Sequence, residues 1–171
     1  MPDSEFSVRD TADRLRQSLD TVEWAVGWIP PSYTHEIPEG TSPGEWGAAM
    51  NLAHLIVYDE EIANPVLASL AEGGDGVGAT KSHLEQWFQP EAEAMAPDPI
   101  AALAGRFATA HKRHIEIVES FSDERFNTPV TPLFTRGETL RAPGWIATKT
   151  FQHTWEHGNA LLRLALFAPR A

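Results

Sequence analysis

Residues 143–167 read PGWIATKTFQHTWEHGNALLRLALF, and the spacing within them decides the fold class. Ile146, Thr150, His153, His157, Ala160, Leu161 and Leu164 recur mostly at steps of three and four, which lays them along one side of an α-helix. Pro143 suits the first helical turn, where a backbone N–H has no intrahelical partner. The same rhythm appears three more times towards the N-terminus. Val8, Ala12, Leu15, Leu19, Val22 and Val26 predict a helix from Ser7 to Trp28, with Ser7 and Asp10 at its start and Pro30-Pro31 beyond its end. Ser42-Pro43-Gly44-Glu45 combines a cap, a first-turn proline and a capping-box acid. It opens a second helix through Trp46, Ala49, Met50, Ala53, Val57 and Ile62, terminated by Gly73-Gly74. Pro65 should kink that helix, because it cannot donate to the Glu61 carbonyl. Asp98-Pro99 repeats the cap-plus-proline pattern, and Leu103, Phe107, Ala110, His114, Ile117 and Phe121 predict a third long helix from Pro99 to Ser120. Thr80 to Gln89 reads as a short connecting helix ended by Pro90, and Asn127 to Pro143 as a long connection of the kind that often carries function. Four amphipathic helices without a strand pattern predict an all-α four-helix bundle, with residues 1–171 as a single domain.

Composition narrows the chemistry. The formal net charge is −11, with 13 Lys and Arg, and the densest basic cluster is the short run from His111 to His114. Gripping phosphates needs a concentrated basic face, so nucleic acid is excluded as an expected partner. The chain has no cysteine, which removes disulfides, Cys-based zinc sites and a cysteine nucleophile. Any metal must be held by imidazole and carboxylate, and any thiol chemistry must use a thiol brought by a substrate. The acidic, polar start MPDSEFSVRD is unlike a signal peptide, and ALLRLALF near the end is interrupted by Arg163 and too short to span a bilayer. The expectation is a cytoplasmic protein without membrane contact. GGDGVG at 73–78 follows a helix rather than a strand and reads as a turn, not a phosphate loop.

The histidines carry the functional signal. His153 and His157 are four apart, an offset of roughly 40° on a helix, so both imidazoles leave one face a turn apart. This is the spacing by which a helix offers two nitrogens to one ion. His54 sits midway along the second predicted helix, beside Met50, Asn51, Val57 and Tyr58 on its own face, and could oppose the pair. Three neutral imidazoles leave a coordination position open, as catalytic rather than structural sites do. The competing reading has three separate hydrogen-bonded histidines; spacing by itself leaves the two even.

TSPGEWGAAMNLAHL, with Trp46 eight residues before His54, resembles the second helix of DinB-like (damage-inducible B) proteins. QHTWEHGNALL, with His153, His157 and Gly158-Asn159, resembles their fourth-helix motif, in which Gly-Gln usually follows the second histidine. Asn159 stands where that Gln would be, one residue closer. The resemblance implies an up-down-down-up bundle, one divalent metal on His54, His153 and His157 with water completing the shell, and pairing as a homodimer. It also implies kinship with thiol-dependent enzymes, among them bacillithiol S-transferases and mycothiol-dependent isomerases. Zn is the preferred metal for its availability, with Ni or Fe as alternatives, and a low-molecular-weight thiol is the expected co-substrate.

Lesser candidates surround these. Glu61, seven residues from His54, could act as a base or orient an imidazole, and Tyr58 could donate a hydrogen bond to a bound ligand. Asn159 and Glu156 are candidates for orienting the ligands. Arg141, with Arg136 and Lys149, could bind substrate carboxylates. His114 falls on the core stripe of its helix as a satisfied histidine near a bundle end. His111 is placed to one side, and His35 and His83 in connections; none of the four is expected to bind metal. Three functions compete: transfer of a small thiol to an electrophile, metal-activated hydrolysis, and a non-catalytic metal- or ligand-binding stress protein. The first is the expected one.

Overall fold

The structure is a computed structural model that describes residues 6–36, 46–74, 76, 84–130 and 142–167. The described residues are all-α. The first helix, α1, runs Val8–Trp28, and Ser7 caps it by accepting from the Asp10 amide at 3.2 Å. After a 3-10 turn at Pro31–Tyr33, α2 spans Ala48–Tyr58. A π-helical turn, Asp59–Ala63, joins it without a break to α3, Asn64–Ala71. Then follow α4 (Leu84–Met95), α5 (Ile100–Glu119), α6 (Asp123–Asn127) and α7 (Pro143–Phe167).

Residue pairings fix the directions of the long elements. Gly144 lies against Phe6 and Gly158 against Val22, so α7 runs parallel to α1. Ser18 meets His111 while Arg16 meets Glu119, so α5 runs against α1. Asn51 meets His157 and His54 meets His153, so α2 runs against α7. Glu60 binds Arg106 and Asn64 binds the Ala110 carbonyl, so the α2–α3 arm and α5 run together. Between these elements lies a core whose fully buried side chains include Leu15, Leu52, Leu55, Ile56, Leu67, Leu103, Phe107, Phe126 and Leu161. Each such burial contributes roughly 1.5–3 kcal/mol before entropic costs.

Four local features depart from the sequence expectation. The described part of the second helix begins at Ala48 with Gly47 as its cap; the start expected at Ser42-Pro43 lies outside the described residues. Gly47 is needed there, since a Cβ would stand 3.0 Å from the His35 backbone. The kink expected at Pro65 takes the form of the π-turn, where the Asn64 N–H bonds the Asp59 carbonyl one residue beyond helical register. Pro90 does not end the connecting helix: α4 continues through it to Met95, with Pro90 exposed and Ala92 buried against Ala53 and Val57. The short α6 lacked a periodic signal. Ser122 caps it, Phe126 anchors it in the core, and Asn127 bonds the Phe6 backbone in both directions, closing the start of α1 onto the start of α7.

Candidate metal centre

His54 reaches the interior from α2, and His153 and His157 reach it from the antiparallel α7. Their ring centroids are 4.9 Å (His54–His153), 4.6 Å (His54–His157) and 4.8 Å (His153–His157) apart. One ring nitrogen from each lies within 4.8 Å of the others. The Nε2 atoms of His54 and His153 are 3.0 Å apart. Tetrahedral bonds of about 2.0–2.1 Å place two ligand nitrogens roughly 3.3 Å apart, so the cluster is close to the dimension a single ion requires.

The tautomer of His157 is set by a chain of donors. The Asn51 amide nitrogen donates to the carbonyls of Trp46 (2.9 Å) and Gly47 (3.0 Å), which turns its oxygen towards α7. That oxygen can only accept, so the His157 Nδ1 at 2.8 Å must carry a proton. The Nε2 lone pair is thereby left for an ion. Such outer partners hold ligating imidazoles in metal sites generally. Trp46 closes the same side, stacked on His157 at 5.7 Å and tilted on His54 at 4.8 Å, and Tyr58 lies 4.2 Å from His153 on the other.

Electrostatics favour neutral ligands. Burial, reinforced by the other two rings, pushes His54 down to about 3. Burial pushes His153 to about 4, the Asp59 charge opposing it, and pushes His157 to about 4 with His153 adding to the effect. Close imidazoles held neutral by burial, with the His157 lone pair turned inward, suit a divalent cation.

The remaining candidates divide. Tyr58 is at the centre, and burial raises its hydroxyl to about 12 against a hydrogen bond with Thr150, so it stays a neutral phenol. Glu61 is exposed rather than facing the imidazoles: the extra residue of the π-turn rotates it off the His54 face. Glu156 is exposed as well, and Asn159 is half-buried on α7 beyond the ligands, while Asn51 supplies the outer hydrogen bond. Arg141 and His83 lie outside the described residues, and His35 is exposed.

His111 and His114 stand apart from the three-histidine cluster, yet both are wholly buried, which corrects the sideways placement of His111. Steps of four from Phe107 and three to His114 put it on the core stripe. Its Nδ1 is 2.7 Å from Asp59 Oδ2 and its Nε2 3.3 Å from Ser18 Oγ; His114 Nδ1 is 2.8 Å from Asn64 Oδ1. The π-turn thus presents Asp59 and Asn64 to α5. Sequence reasoning missed Asn51 and Asp59. The signal for Asn51 was its place three residues before His54, one turn up the same helix.

The sequence profile of the DinB superfamily matches residues 8–161. Among solved structures, a histidine-to-alanine mutant of a mycothiol-dependent maleylpyruvate isomerase superposes with a TM-score of 0.68 at 14% identity, covering 91% of this chain. This chain spans 60% of that protein's length. No protein of curated function matches it.

Proposed function

The chain belongs to the DinB superfamily, and from that membership and the converging imidazoles we propose a metal-dependent enzyme that transfers a low-molecular-weight thiol to an electrophilic small molecule. The observation that carries the proposal is the inward turn of three neutral histidines from two antiparallel helices, with the His157 lone pair fixed by Asn51. The likeness to a mycothiol-dependent enzyme supports thiol use, and the absence of cysteine leaves no protein thiol to compete for the ion. A bound divalent ion, Zn in our preference, supplies Lewis acidity that favours the thiolate form of the incoming thiol. The chain's own residues do the rest. Asn51 and Trp46 hold the imidazoles in register, and Tyr58 offers a phenol that stays protonated at neutral pH.

The test is elemental analysis of untagged protein followed by turnover assays. About one equivalent of metal in wild type, lost in both His54→Ala and His157→Ala, together with thiol-dependent loss of an electrophile, is the expected result. No metal after incubation with Zn, Ni and Fe would sink the proposal. Turnover indifferent to thiol would move the chemistry to hydrolysis. A homodimer belongs to the same proposal: Trp24 and Trp28, 48% and 55% exposed on α1, are the apolar surface it would cover. Sedimentation of wild type beside Trp28→Glu tests that contact.

A further inference from the structure

Below the histidine cluster, towards the start of α7, the α2–α3 arm and α7 part to leave a cavity of about 240 Å³. Its walls come from Tyr58, Ile62, Ala63 and Val66 on one side and Trp145, Ile146 and Lys149 on the other. The space equals roughly eight water volumes, enough for one ring or a short branched chain. The lining is apolar except for two groups. Tyr58 stays a neutral phenol and is already bonded to Thr150. Lys149 is the sole charged residue among the described lining.

The Lys149 ammonium sits 5.6 Å from the centre of the Trp145 ring and donates to Gln152 Oε1 at 2.7 Å. An ammonium has three donors, and among the described residues no carboxylate pairs with this one. The cavity therefore offers an apolar body one cation at its edge. That arrangement repels an amine, and it serves a single negative charge better than the two of a phosphate monoester, which a lone ammonium would leave half compensated.

We propose that this cavity seats the apolar body of a small monocarboxylic acid, with Lys149 holding the carboxylate, and that this acid is the end of the electrophile remote from the reacting atom. The assignment of the acid to the electrophile rests on the thiol-transfer reading; the binding site itself does not. Tyr58 is the shared wall. It lines the cavity, and its ring is also 4.2 Å from His153. An acid seated here has one aromatic ring between its body and the imidazoles, so the reacting part must extend past Tyr58 along α7. Binding a non-reacting end supplies the energy that orients the reacting one.

The experiment is a titration of the metal-loaded, full-length protein with benzoate and with benzamide, its uncharged isostere, followed by NMR at the Trp145 indole and the Lys149 side chain. Benzoate should shift both groups and bind about fivefold tighter than benzamide, the scale of one exposed ion pair. Lys149→Met should bring benzoate down to the affinity of benzamide, and Lys149→Arg should restore the preference. Lys149 is exposed, so these variants should fold as wild type does. Ala63→Leu should weaken both ligands by filling the cavity. Equal affinities in wild type, a preference that survives Lys149→Met, or shifts centred on His54 and His157 would each overturn the site. Wild type that holds no metal yet prefers benzoate would sink the metalloenzyme reading and leave this one standing. One equivalent of metal without that preference would do the reverse.

Discussion

At the scale of single residues, the proposed centre depends on its three histidines and on what fixes the lone pair of His157. Asn51 does this for His157 with both amide hydrogens donated to the carbonyls of Trp46 and Gly47, ahead of α2, and its oxygen accepting from α7. Asn51→Leu should lower metal affinity about 10- to 100-fold, as measured by competition with a chromogenic chelator. An unchanged affinity would remove Asn51 from the site. His153→Ala should abolish stoichiometric metal while leaving the far-UV circular dichroism close to wild type; full occupancy in that variant would refute the assigned ligands. His153 and His157 were legible as candidates because helical spacing fixes which side chains share a face, and His54 joined them through the resemblance of the segment around Trp46 and His54 to the family's second helix. Asn51 was read only as a neighbour on the His54 face, because spacing places an amide near an imidazole without telling whether it orients the ring or faces water.

Among elements, the π-turn at Asp59–Ala63 has the widest reach. One extra residue in a helix rotates everything after it, which moves Glu61 out to solvent and brings Asp59 and Asn64 against α5. Asp59 and His111 are both fully buried, so removing one leaves the other's polar atoms stranded in the core. Asp59→Ala should cost about 3–5 kcal/mol in urea unfolding, far more than Glu61→Ala at the exposed position beside it. A cost below about 1 kcal/mol would show that the pairing is dispensable. Long helices were readable from periodicity, and the start of α1 from Ser7, since those signals are local; the cap expected at Asp98 does not form, because Pro99 itself takes the cap position of α5 and no side chain bonds there. The π-turn, the passage of α4 through Pro90 and the short α6 were not, because tertiary contacts decide each of them. Ala92 against Ala53 holds the residues after Pro90 in helix, and the burial of Phe126 holds five residues that propensity would leave as coil.

For the whole molecule, pH links these parts. Burial pushes His114 down to about 4, the nearby Asp59 opposing it and His111 reinforcing it. Its folded value lies below the ordinary 6.5, so the unfolded chain binds the proton more readily. The His114 contribution is therefore complete above about pH 6.5 and is lost as pH falls towards 4. Thermal unfolding of metal-free protein should show Tm falling across that window. His114→Gln should flatten part of the slope, and a slope unchanged by the substitution would assign the effect elsewhere. The proposed ligands His54, on α2, and His153, on α7, are 99 positions apart in sequence. In a chain without a cysteine, an ion held between them is a removable cross-link. It closes a loop of about a hundred residues, a constraint that for a covalent bridge is worth roughly 5 kcal/mol through the unfolded state. Metal loading should accordingly slow amide hydrogen exchange along the whole length of α7, well beyond the turn that carries the imidazoles. Chelation should let that helix open as a unit, so an ion bound for the proposed chemistry would also fasten or release the last described helix.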